Sequence, residues 1–303
     1  MRIRNALRAY WVHGGPVERA GYLVGALLFA SGLFHLAVYA VAGGPWEGPV
    51  SWRKAVTFGL SFGLTLVTVT WIAALLPLRD RTRTWLLATF ATACVTETAI
   101  VSLQVWRGVP SHFNVATPLD SALTRVLAAG GGVLVVVLVT LTVLALRASP
   151  GSLAPSLLPA IRIGLLSLLG AGAVGAVMIA TGMSEVAAGH QQAAYLNGGW
   201  LKPAHAALMH GVTVLPALAW LASFTGWDES RRVRVTWLGA GGYLLFAAVV
   251  SAEAFARVPP LHAPVLAAAL AAAGLAVLLA AGVWTVARVT ADGPAQAPVR
   301  PRG

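Results

Sequence analysis

An all-α bundle of about eight membrane-spanning helices is the fold class this sequence predicts, and three observations predict it. The 303 residues are 58% hydrophobic and only 10% charged, whereas a soluble domain of ordinary composition carries about a quarter charged residues. Eight apolar runs follow one another, each near the ~20 residues that a helix needs to cross ~30 Å of hydrocarbon. The basic residues also alternate between connections as the positive-inside rule requires. With the N-terminus placed in the cytoplasm, fifteen Lys or Arg fall on that side and six on the other. An even number of crossings with both termini cytoplasmic satisfies that partition. Alternating ten-residue segments, the mark of a membrane β-barrel, are missing from the sequence.

The first run, 21–42, follows Arg2, Arg4, Arg8 and Arg19 and ends on Ala40-Val41-Ala42. This resembles a secretory signal, but about 22 apolar residues exceed the usual 7–15 of a signal core, so a retained helix is expected. The second, 55–76, opens after Trp52-Arg53-Lys54, and the third, 85–106, follows Arg79, Arg81 and Arg83. The fourth, 122–146, ends at Arg147. The fifth, 161–183, contains Gly170-Ala171-Gly172-Ala173-Val174-Gly175. That hexad matches a dinucleotide fingerprint but lacks the preceding strand, so helix packing is expected. The sixth, 204–226, carries His205 and His210; the seventh, 233–256, follows Arg231, Arg232 and Arg234; the eighth is 260–287. Residues 1–287 therefore form one transmembrane domain, and the Pro-, Ala- and Gly-rich tail 288–303 is expected to be a disordered cytoplasmic segment.

Net charge of +11 raises nucleic acid as a partner, but the charge tracks topology and no soluble basic domain exists to carry such binding. The bilayer is the expected partner. The single cysteine, Cys94, excludes disulfide frameworks and thiolate clusters within one chain.

The halves echo each other. Trp52-Arg53-Lys54 opens the second run and Trp200-Leu201-Lys202 the sixth, with Trp71 and Trp220 following at 19 and 20 residues; Arg107-Gly108-Val109-Pro110-Ser111-His112 after the third run is paralleled by Arg257-Val258-Pro259-Pro260-Leu261-His262 after the seventh. A duplication of four plus four helices would relate the halves by a pseudo-two-fold axis along the membrane normal.

Candidate site residues gather on the outer side. Glu97 lies near the middle of the third run, where an ionised carboxylate is costly unless paired, hydrated or protonated. Gln104, seven residues on, shares its face. His35, Glu97 and Gln104, with His205 or His210, are expected to point into the bundle and wall a cavity open to the extracytoplasmic side. His205 and His210, five apart, diverge by ~140° around a helix and would not ligate one ion together. Arg107, His112, His190, Glu253 and His262 are further candidates at the outer ends. No metal site is assigned. The cofactor is open, haem b held by histidines or a quinone being the expected types. Binding a small ligand or redox cofactor is the leading expectation; a proton- or cation-coupled transporter is the alternative, favoured by any discontinuous helix in the bundle, and a structural or assembly protein is the third.

The chain resembles a group of uncharacterised multi-pass membrane proteins of bacteria, including actinobacteria. Trp52-Arg53-Lys54 with Phe58-Gly59-Leu60-Ser61, Trp106-Arg107-Gly108-Val109-Pro110-Ser111-His112-Phe113-Asn114, and His205, His210 and Leu215-Pro216 carry the resemblance. Ala55 stands where the group's pattern has proline. The resemblance implies membrane location and no particular reaction.

Overall fold

Helix dominates because neither lipid nor an apolar side chain can hydrogen-bond the backbone, which must then satisfy itself. The computed structural model describes residues 2–196, 199–259 and 262–291, and among these every regular element is helical. Eight helical stretches are long and apolar enough to cross a membrane. A short helix α1 (Arg2–Val12) precedes α2 (Pro16–Ala42), α3 (Trp52–Leu75), α4 (Asp80–Trp106), α5 (Pro118–Arg147) and α6 (Leu157–Ala187). The sixth crossing is segmented into α7 (Gln191–Leu196), a 3₁₀ turn (Gly199–Leu201), α8 (Lys202–Met209) and α9 (Gly211–Ala222), and α10 (Glu229–Phe255) and α11 (Val265–Ala291) complete the bundle. The end holding α1 and the last turn of α11 is called the near end, and the opposite one the far end.

Several helices begin earlier than their apolar runs, because capping residues rather than hydropathy set the start. Pro16 occupies the first turn of α2 and Glu18 accepts from Gly15 N at 2.8 Å; Thr117 caps α5 by accepting from Asp120 N, and Asp228 caps α10 by accepting from Arg231 N. The last helix starts at Val265, after Pro264, rather than at residue 260. It also runs through Arg288 to Ala291, so the first four residues of the expected disordered tail are helical; residues 292–303 lie outside the described residues, as do Pro260 and Leu261. The glycine hexad sits wholly inside α6.

Small residues set the closest helix pairs. A Cβ on Gly59 would stand 2.5 Å from Gly32 N, and one on Gly63 would stand 2.5 Å from Phe29 N, so α2 and α3 touch backbone to backbone. Gly242 and Gly274 bring α10 and α11 together in the same way, each Cβ position falling within 2.7 Å of the other's carbonyl oxygen. Leu66, Ile72, Phe90, Leu141, Ile161 and Leu165 fill the main core between α3, α4, α5 and α6.

Three arginines close the near end. Arg83 donates to the carbonyls of Ala73 (3.1 Å) and Leu78 (3.1 Å), Arg162 to Ala145 (3.0 Å) and Ala148 (2.8 Å), and Arg232 to Thr225 (2.9 Å). Each guanidinium takes carbonyls at or just past the end of the preceding helix, where partners are lacking and the helix dipole is negative.

Candidate functional site

The sequence-predicted residues are buried, and the structure distributes them over separate contacts. His35 is 4% exposed. Its Nδ1 donates to Ser31 O at 2.7 Å and its Nε2 accepts from Trp106 Nε1 at 3.1 Å, with the Trp52 ring 6.2 Å away. Both ring nitrogens are engaged, which fixes the tautomer and joins α2 to α4 at the far end.

Gln104 is fully buried and belongs to a second group built around Asp120. Asp120 Oδ1 accepts from Gln104 Nε2 (3.0 Å) and Arg107 Nη1 (2.7 Å), and Oδ2 accepts from Thr117 Oγ1 (2.7 Å); Arg107 also donates to Gln104 Oε1. The connecting loop is tied to this group. Asn114 Nδ2 donates to Pro110 O, Thr124 Oγ1 donates to Asn114 O at 2.9 Å, and Phe113, at φ 59°, drives its ring against Gly182 of α6 where a Cβ would collide. The motif from Trp106 to Asn114 thus folds as a hydrogen-bonded cap on α4 and α5. Asp120 escaped sequence reasoning, although Thr117-Pro118-Leu119-Asp120 has the spacing of a capped helix start with an acid at the third position.

Glu97 turns toward α5. It is 4% exposed, a Cβ on Gly130 would overlap its Oε1, and that oxygen makes no hydrogen bond among the described residues. His205 lies against α6, Nδ1 donating to Ala171 O at 2.8 Å, while His210 is exposed at the α8–α9 junction. Among the far-end candidates, His190 pairs with Glu185 at 3.2 Å with its side chain 68% exposed, His262 is exposed, and Glu253 Oε1 is buried without a hydrogen-bond partner. His112 is half-buried beside Ser111 Oγ (3.0 Å) and Phe58. Burial and the nearby Lys54 ammonium push its pKa down from 6.5 to about 4, so it is neutral at ordinary pH. Among the described residues no three His, Cys, Asp or Glu side chains converge as a metal site.

The cavity lies elsewhere, at the near end. An open-sided hollow of about 360 Å³ is lined by Leu7, Tyr10 and Trp11 of α1, Tyr22 of α2, Val67, Thr68 and Trp71 of α3, and Thr213, Ala217 and Trp220 of α9, within the range of small-molecule sites. Trp71 and Trp220, which the sequence spacing paired, meet edge to face at 6.0 Å; Tyr10 joins them at 6.3 Å from Trp71, its hydroxyl accepting from Trp220 Nε1 at 3.1 Å. Thr68 and Thr213 hydroxyls face each other 3.3 Å apart. The α1 contribution had a signal in the sequence: Leu7, Tyr10 and Trp11 stand at i, i+3 and i+4, the spacing of one helix face.

Beside this cavity the sixth crossing breaks. Helix α8 stops at Met209, α9 begins at Gly211, and Pro216 follows within α9. The freed carbonyls are met from neighbouring helices: Ser167 Oγ of α6 donates to Leu208 O at 2.7 Å, and the Tyr243 hydroxyl of α10 donates to Ala207 O. Gly211 permits this approach, since a Cβ there would lie 2.8 Å from both Ser167 and the Tyr243 ring. The break is thus a built feature with its own hydrogen-bond partners.

No family model, curated protein or solved structure matches this chain.

Proposed function

We propose that the protein is a small-molecule transporter of the plasma membrane, both termini cytoplasmic, carrying a compact and mostly apolar molecule along the seam between its halves. The observation that carries this reading is the interrupted sixth crossing, placed beside a cavity to which both halves contribute. Transporters built from repeats place their binding sites at the repeat interface and use broken helices there, because a break frees backbone groups and lets the segments move separately. The cavity's chemistry sets the cargo: aromatic rings from four helices and two threonine hydroxyls favour a flat apolar body with one or two hydrogen-bonding atoms. Glu97, buried in α4 away from this cavity, is a carboxylate available for coupling to protons.

A second reading rests on the same lining. A quinone ring, apolar with carbonyl acceptors on opposite edges, would suit the threonine hydroxyls, making the site a fixed redox-ligand pocket. Thiol accessibility separates the two. In a Cys94→Ala background, Thr213→Cys at the cavity floor is treated with a small membrane-impermeant thiol reagent in sealed vesicles of each orientation. Transport predicts modification from both sides, with each rate slowed by a bound aromatic probe such as menadione. Modification from the cytoplasmic side alone removes the transport reading and leaves the pocket; absence of modification from either side removes both.

A further inference from the structure

At the far end, the starts of α3 and α8 bring cations together with too few anions to match them. Arg53 and Lys54 occupy the first turn of α3, and Lys202 opens α8. Lys54 lies within electrostatic reach of Lys202 and Arg53, and Lys202 within reach of Arg53 and Glu47. Arg257 is adjacent, its guanidinium 4.7 Å above the ring of Trp200. Against these stands Glu47, paired to Arg53 Nη2 at 3.1 Å from a side chain that is 72% exposed. Lys54 Nζ is held by a neutral acceptor, Pro49 O, at 2.7 Å. Neither Lys54 nor Lys202 forms an ion pair among the described residues. Of the other carboxylates at this end, Asp120 is engaged by Arg107 and Glu185 by His190, while Glu253 of α10, near Arg257, has a buried oxygen without a hydrogen-bond partner and is not among the charges that act on Lys54 or Lys202.

Two polar groups mark the gap independently of charge. Ser51 immediately precedes α3 at its N-cap, is wholly buried, makes no capping bond to its own helix, and its Oγ has no hydrogen-bond partner. Arg53 Nε is likewise buried without an acceptor. Each buried donor left unmet costs free energy, and like charges repel more strongly where burial has stripped water from them, as at Lys54. One anion would relieve both. The positive end of the α3 dipole adds to the field at that point.

We propose that the far-end cation cluster at the starts of α3 and α8 binds a phosphate-type oxyanion, held by Lys54, Lys202 and Arg53 with Ser51 Oγ donating to it. The group comes from a phospholipid headgroup at the membrane boundary or from a soluble phosphate, since the starts of α3 and α8 lie at an end of the bundle where both are at hand. The site stands at the opposite end of the seam from the cavity, and the inference does not rest on the transport reading.

The test uses full-length protein, purified and delipidated in a zwitterionic detergent, as wild type, Lys54→Gln, Lys202→Gln, Ser51→Ala and, as a control at the same end, Arg125→Gln. Inorganic phosphate is titrated at constant ionic strength against chloride while the thermal midpoint is followed. Retained phosphatidylglycerol is measured by native mass spectrometry before delipidation. For a soluble anion, phosphate raises the wild-type and Arg125→Gln midpoints saturably, with at least a tenfold weaker apparent affinity in the two lysine variants and a smaller loss in Ser51→Ala. For a lipid source, phosphate has little effect, but wild type and Arg125→Gln keep phosphatidylglycerol that the lysine variants lose. Should the variants misfold, a pH- and salt-matched circular dichroism spectrum reveals it, and Ser51→Ala, which changes no charge, then carries the comparison. Equal phosphate response and equal lipid retention in wild type and all folded variants would overturn the proposal.

Discussion

Replacing Tyr243 by Phe tests whether the break in the sixth crossing is held from outside. Tyr243 is 2% exposed and its ring packs against Gly211, a contact that Phe preserves. The change therefore removes one hydroxyl and little else. That hydroxyl donates to Ala207 O and lies 3.0 Å from Ser167 Oγ, which itself donates to Leu208 O. Ala207 O would lose its donor, whereas Leu208 O would keep Ser167. A buried acceptor left unmet costs ~1–3 kcal/mol, and side-chain hydrogen bonds in membrane proteins average nearer ~0.6 with a ceiling near ~1.7 kcal/mol. About 1–2 kcal/mol of destabilisation follows, roughly tenfold in the unfolding constant. Equilibrium unfolding in mixed micelles with a rising fraction of sodium dodecyl sulfate, followed by far-ultraviolet circular dichroism, measures it. Ser167→Ala should cost a similar amount, and the double variant should depart from additivity because both hydroxyls serve the same turn. Tyr243→Phe indistinguishable from wild type, together with strict additivity, would refute the idea that these two side chains hold the break open.

Asp120→Ala strands Arg107 and Gln104 and should destabilise the fold more than Thr117→Ala, because it removes the acceptor of both side chains; the same unfolding assay reads it, and a smaller loss than from Thr117→Ala would count against Asp120 as the hub. His112, with a folded-state pKa near 4 against 6.5 unfolded, binds fewer protons folded than unfolded between those values, so stability should fall as pH drops through that window; His112→Gln should flatten the fall, and an unchanged pH profile would contradict the burial argument. Gly63→Ala should destabilise by roughly 1–3 kcal/mol through overpacking, since its methyl would meet the backbone of Phe29 and Gly25 within 2.8 Å; a stabilised variant would show that α2 and α3 have room to part. Reporter fusions after Arg83 and Arg234 should read cytoplasmic and one at Gly189 external, and a consistent inversion would overturn the proposed orientation.

The crossings were legible because composition and length alone demand them. What composition could not show is a break inside an apolar run. From Ala204 to Trp220 hydropathy continues almost unbroken, and the interruption at His210 depends on Ser167 and Tyr243, 41 and 35 residues from Leu208 along the chain. The candidate site fared similarly. Helical spacing put Gln104 on the face of Glu97, and both are buried, but spacing along one helix says nothing about which neighbour each meets. Gln104 found Asp120 across the loop; Glu97 found a glycine on α5. The cavity was missed because α1 was read for its arginines as a topology signal, while its apolar face, Leu7 with Tyr10 and Trp11, closes the seam.

Arg83, Arg162 and Arg232 belong to the residue class that biases which way a loop faces during insertion, and each also satisfies carbonyls at or just past the end of the crossing made before it. A hairpin can therefore lock as soon as its second helix leaves the translocon, without waiting for the remaining crossings. Lysine would preserve the orienting charge at these positions, but at Arg83 and Arg162 its single ammonium cannot span two carbonyls in the fixed geometry of a guanidinium. Biogenesis would then keep its direction and lose its latch, and partly inserted hairpins would be exposed for longer to proteolysis or to pairing with the wrong neighbour.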